Sequence, residues 1–195
     1  MANIMPKVNL PLDICNMIAD YLPKYVLHDW IDIDKLNWAT LSGNPAAIQL
    51  LQSNNDKIDW EFLSENPFAV DLLQSNPDKI DWISLSGNPA AIQLLKENPD
   101  RINWYWLSKN TAAIQLLKEN PDKIDWQILS GNPAAIDLLR SNLDKIDWNM
   151  LSNNPAAMHI LKENPDKIDW NWLSSNNAIF KPVREQAIID LLYLL

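Results

Sequence analysis

The sequence predicts an all-α fold, an α-solenoid of about six to seven 22-residue repeats with two short helices each, closed by capping helices at its N- and C-termini. Three observations predict it. Trp recurs at 38, 60, 82, 104, 126, 148 and 170, a spacing of 22 without insertion or deletion. Leu follows each Trp by three residues, then Ser, and two further on Asn, so that the unit reads W-x-x-L-S-x-N-P-A-A-I-x-L-L-x-x-N-P-D-K-I-D. Within the unit nothing alternates with period two and Pro interrupts about every eleven residues, which rules out strands. The chain divides into an N-terminal cap over 1-33, the repeat array over 34-177 and a C-terminal capping helix over 178-195.

The N-terminal element is a helix over 10–23. Pro11 suits a first turn, and Ile14, Met17, Ile18, Tyr21 and Leu22 make one apolar stripe. In the array, Asn66-Pro67 opens a helix that carries Val70, Leu72 and Leu73 and ends at Ser75-Asn76. Asn is a favoured N-cap because its side-chain oxygen accepts an orphan backbone N–H, and Pro at the first helical position has no N–H to leave unpaired. The W-x-x-L-S segment forms the second helix, ending before Gly87-Asn88. Two starts stay open for it: Trp82 with Asp81 as cap, or Pro77. After Asn176 the pattern decays, Lys181-Pro182 interrupts, and 183–195 reads as a closing helix whose apolar tail suits either a homo-oligomer contact or a longer natural chain.

An apolar fraction of 47% fills a core and excludes disorder. The charge of −9 argues against nucleic acid, whose binders carry a basic stripe. No stretch approaches the length of a membrane span, and the N-terminus lacks the regions of a signal peptide. One cysteine, Cys15, excludes an internal disulfide and fits a reducing compartment. A soluble, cytoplasmic protein is expected.

Catalysis has little to stand on. His28 and His159 are the only histidines, and there is no glycine-rich phosphate loop or metal-ligand cluster, so the sequence predicts no enzyme, no cofactor and no metal. The recurring Asp-Lys-Ile-Asp invites calcium, but Lys sits between the acids, no glycine turn follows, and Asp in a first turn serves as a cap. Ser and Asn, invariant among the copies, read as backbone partners between turns. The Trp column reads as the packing seam of the stack rather than a ligand-stacking ladder.

The two residues after each Trp vary most among the copies, from Ala39-Thr40 at the first. Variation marks positions that the stack does not dictate, which makes Glu61, Phe62, Ile83, Ser84, Tyr105, Trp106, Gln127, Ile128, Asn149, Met150, Asn171 and Trp172 the candidate partner-binding row. Several are large and apolar, and aromatic and Met side chains are enriched at interface cores. The competing account is that the second residue of each pair is partly buried and changes size with local curvature. A second variable row at Gln49, Asp71, Gln93, Gln115, Asp137 and His159 reads as an ordinary solvated face.

Residues 10–23 resemble the opening of an F-box, roughly L-P-x-D/E-I-x-x-x-I-x-x-Y-L-P. Leu10, Pro11, Asp13, Ile14, Ile18, Tyr21, Leu22 and Pro23 match, and the resemblance implies docking to a Skp1-like adaptor through Leu10, Pro11, Ile14, Ile18 and Leu22. The repeat, with L-S-x-N-P-A-A-I-x-L-L and N-P-D-K-I-D-W, resembles the short repeats in proteins of giant DNA viruses. That likeness implies a viral origin and a host-cytoplasmic role. The function expected from the sequence is a non-enzymatic protein–protein interaction scaffold, the alternatives being a self-assembling viral component or an F-box-like adaptor to a ubiquitin ligase.

Overall fold

The structure is a computed structural model, and it describes residues 25–180. The expected helices over 10–23 and 183–195, with the adaptor-docking and homo-oligomer contacts assigned to them, lie outside the described residues. Among those described, the regular elements are short α-helices and 3-10 turns, with no strand.

Numbered in chain order, the helices that begin at the Trp column are α1 (Trp38–Ser42), α3 (Trp60–Glu65), α5 (Trp82–Gly87), α7 (Trp104–Lys109), α9 (Trp126–Ser130), α11 (Trp148–Ser152) and α13 (Trp170–Leu173). Between them run α2 (Ile48–Gln52), α4 (Val70–Gln74), α6 (Ile92–Glu97), α8 (Ile114–Glu119), α10 (Ile136–Arg140) and α12 (Met158–Glu163). Each odd-numbered helix packs on the next odd-numbered one in unbroken succession, whereas consecutive even-numbered helices pack less closely. The arrangement is a solenoid-like repeat of helix pairs, with its layers closest on the Trp side.

Of the two starts left open for the second helix, the structure has the one at Trp82. Asp81 Oδ1 accepts from the Ser84 N–H at 2.8 Å, and Pro77–Lys79 forms a separate 3-10 turn. Ile80 between them is extended, and that break turns its side chain into the core. The two Asn-Pro dipeptides of a unit differ in what they do. Asn88 caps forward as expected, its Oδ1 accepting from Ala90 N–H at 3.0 Å ahead of the turn Pro89–Ala91 and α6. Asn98 works backward: with φ −131° and ψ 59° its Nδ2 donates to the Leu94 carbonyl at 2.9 Å and closes α6.

Inside the array each unit buries one Leu from its Trp helix, the Ala just ahead of its even helix, one or two apolar residues of that helix, and the Ile before the next cap. Leu107, Ala113, Leu117 and Ile124 are one such set. In the Pro-Ala-Ala segments after the first, the second Ala (Ala91, Ala135, Ala157) is fully enclosed while the first is exposed. Only a methyl fits where the even helix enters against its Trp helix.

Ser and Asn join the units. Ser86 Oγ donates to the Trp82 carbonyl at 2.7 Å and accepts at 2.9 Å from the N–H of Asn103, the residue that caps the next Trp helix. Asn110 Nδ2 donates to two carbonyls of the preceding unit, Ser86 and Asn88, each at 3.1 Å. The same bonds recur at Asn88, Asn132, Asn154 and Asn176, forming a buried carboxamide ladder along the array. No buried side-chain nitrogen or oxygen among the described residues lacks a partner, as buried polar groups require.

Candidate functional site

From Trp38 to Trp148 the Trp column is half-buried against the core, whereas Trp170, the last of it, is exposed. In several units the free face of the ring is occupied: Lys57 Nζ lies 4.8 Å from the Trp38 ring centre, Lys79 4.7 Å from Trp60 and Lys145 4.7 Å from Trp126. Each lysine comes from the Asp-Lys-Ile-Asp that closes the same unit, 19 residues after its Trp and just ahead of the next Trp helix. A cation held over an indole face stabilises by about 0.5–2 kcal/mol and competes with any ligand for that face. The first Asp of the motif is exposed in its 3-10 turn while the second caps the next helix, so the two acids serve different neighbours.

The variable row lies on the Trp helices. Phe62 is 44% exposed, Ile83 53%, Tyr105 49%, Trp106 36% and Trp172 45%; Ile128 and Met150 are half-buried and Ser84 is buried. Glu61, Gln127, Asn149 and Asn171 are exposed polar members. The even-helix row from Gln49 to His159 is exposed throughout, with Gln93 Nε2 bonded to Glu97 Oε1 at 2.8 Å.

The second residue of each pair is tied to a partner that the sequence comparison missed. A methyl on Gly43 would meet Phe62 Cδ1 at 3.8 Å, one on Gly87 would meet Trp106 Cε3 at 3.7 Å, and one on Gly131 would meet the Met150 methyl at 3.0 Å. These are the only glycines of the chain, spaced by 44 residues, and each seats a large side chain from the next unit. In the alternate units the same register sets Glu65 beneath Ser84, Lys109 beneath Ile128 and Asn153 beneath Trp172. The row therefore repeats every two units. The signal was in the sequence, as glycine at every second S-x-N.

Inside the row, between Phe62 and Trp106, a gap falls at Ser84. Beside it opens a cleft of about 360 Å³ lined by Glu65, Ser84, Gly87, Trp106, Lys109 and Thr111 among others. Tyr105 stands edge-on to Trp106 with ring centres 5.6 Å apart, and Lys109 Nζ lies 5.2 Å from the Trp106 ring centre.

A family model described as periplasmic copper-binding protein (NosD) matches residues 20–187, and the chain belongs to this family. None of the curated proteins and none of the solved structures compared with the chain matches it. The match overturns the two likenesses drawn from the sequence, to giant-virus repeats and, at Leu10, Pro11, Ile14, Ile18 and Leu22, to an F-box. L-S-x-N-P and D-K-I-D are what caps and the carboxamide ladder demand of any such stack, so they report packing rather than lineage, and 14 residues of L-P-x-D-I pattern also suit a plain amphipathic helix. The expected cytoplasmic location is corrected too, since the family is described as periplasmic. A lone thiol has no intramolecular partner in any compartment and carries no redox address.

Proposed function

We propose that this member of the NosD family is a non-enzymatic interaction scaffold, an α-solenoid of 22-residue repeats with atypical helices covering its two ends, whose row after the Trp column contacts a protein partner. The observation that carries this reading is the set of exposed apolar side chains Phe62, Ile83, Tyr105, Trp106 and Trp172 in the first turns of successive Trp helices. Those side chains hold no unit together in the way that the Leu core and the Asn ladder do, and exposed aromatic rows mark binding surfaces. Acidic character and the lack of a basic stripe favour protein over nucleic acid as the partner.

The test is the double change Tyr105→Ala and Trp106→Ala, with affinity capture from source cells as the readout. Partner recovery falls at least tenfold while the helical circular dichroism signal stays at the wild-type level. Equal capture profiles for variant and wild type would refute the reading.

The family description also brings copper to this chain as an expectation. Copper favours thiolate, thioether and imidazole ligands. The described residues that supply them stand apart: His28 stacks on Trp30, His159 lies on the exposed face of α12, Met158 Sδ faces Asn176 Nδ2 at 3.9 Å, and Met150 packs over Gly131. Adjacent residues of a helix do not face each other, so Met158 and His159 cannot converge on one ion. Among the described residues no three His, Cys, Asp or Glu side chains gather as metal ligands. The described array does not fit a copper site, and no step of the scaffold function runs through one.

A further inference from the structure

We infer that the cleft beside Trp106 is the specificity site of the surface, a seat for a protein segment that presents one large apolar side chain between a basic and an acidic residue. The inference rests on the scaffold reading and adds to it a position and a ligand chemistry. The row runs Thr40, Phe62, Ser84, Trp106, Ile128, Met150, Trp172, and Ser84 is the one small member that stands between large ones. Where a side chain is missing, a cleft of about 360 Å³ opens, at the small end of the ~300–1,000 Å³ range of ligand clefts. Its wall is the Trp106 ring, with Tyr105 edge-on beside it; the exposed Lys109 ammonium lies 5.2 Å from the ring centre, so an incoming apolar side chain takes that face as the ammonium moves to the segment's acidic residue. An aromatic wall in a concavity with a polar rim is how interface hot spots are built.

The rim supplies the charge pattern. Glu65 and Lys109 sit on the two sides of Gly87 in the row Gly43, Glu65, Gly87, Lys109, Gly131, Asn153, and they are the only charged residues in it. Both are exposed, and neither is in an ion pair among the described residues. An incoming segment therefore meets a carboxylate at one end of the cleft and an ammonium at the other. Complementary rim charges select partner and register more than they add affinity. No other layer of the array repeats this combination, so the cleft breaks the translational degeneracy of the repeat and fixes where along the stack a partner sits.

The experiment selects a phage-displayed random dodecapeptide library on the full chain, with parallel selection on Ser84→Ile. Ile is what the chain itself places at the equivalent position above Lys109, so this variant fills the cleft with a side chain that the stack already accepts. The expected result is a consensus with a basic and an acidic residue flanking an aromatic or long aliphatic one. A synthetic peptide of that sequence loses at least tenfold in affinity on Ser84→Ile and on Lys109→Glu, and recovers on the latter when its acidic residue is changed to Lys. Circular dichroism and thermal midpoint, unchanged in both variants, keep the loss from being a folding effect. Peptides that bind wild type and both variants alike but are lost in Phe62→Ala or Trp172→Ala would overturn the cleft and leave the scaffold reading standing. Failure to enrich any peptide on the wild type would overturn the cleft; the scaffold reading falls with it only if Tyr105→Ala and Trp106→Ala also leave partner capture unchanged.

Discussion

At Asn110 one carboxamide holds two units together. Its Oδ1 accepts from the Ala112 N–H at 3.0 Å and starts its own turn, while its Nδ2 donates to Ser86 and Asn88 of the unit before. Asn98, the other kind of Asn, makes a single side-chain bond to its own helix. A buried acceptor left without its donor costs about 1–3 kcal/mol, whereas an exposed or half-exposed bond is worth about 1. Asn110→Ala should therefore destabilise by about 2–4 kcal/mol and Asn98→Ala by about 1 kcal/mol, read from denaturant unfolding midpoints. Equal losses would mean that the ladder is not what couples the units.

At the scale of the element, the glycines act through size rather than backbone freedom. No described glycine has a positive φ; Gly131 sits at φ −83°, ψ −9°, ordinary helical space. An alanine at Gly87 meets Trp106 at an ordinary contact distance and stiffens the unfolded chain, so Gly87→Ala should be neutral or stabilising by up to about 1 kcal/mol. Gly87→Phe takes the space of the Trp106 ring and should change the near-ultraviolet circular dichroism while leaving the far-ultraviolet signal intact. Seat and side chain belong to successive Trp helices, so the row is a record of local size matching. At Phe62, Trp106 and Met150 the second residue after Trp is therefore tied to the unit before it through its glycine seat.

Across the whole molecule the 44-residue period makes a prediction that the 22-residue period does not. Deleting 60–103 joins Asp59 to Trp104, keeps a cap in place, and sets Trp106 above Gly43; deleting 82–103 keeps the cap but sets Trp106 above Glu65. Both variants should fold, because each restores Leu, Ser and Asn in register. Only the shorter deletion should displace the indole, raising Trp106 oxidation in hydroxyl-radical footprinting read by mass spectrometry relative to the longer deletion. Copper is tested at the same scale: the double change His28→Ala and His159→Ala should leave copper uptake by equilibrium dialysis at the wild-type value, since among the described residues those imidazoles converge with no other metal ligand.

Trp at fixed spacing, Asn-Pro and the Leu pattern were enough to determine from sequence alone that the chain is a stack of short helix pairs, because period, caps and apolar spacing are local properties of 22 residues. The exposed aromatic row was legible for the same reason, as variation against a fixed frame. Sequence did not decide that the second Asn-Pro closes a helix instead of opening one, since the same dipeptide takes two backbone conformations according to what packs on it. Nor did it reveal the Lys cations over the Trp rings, the carboxamide ladder between units, or the cleft at Ser84. Those depend on which residues 19, 22 and 24 positions apart meet across a layer, a distance that only the stacking of units sets.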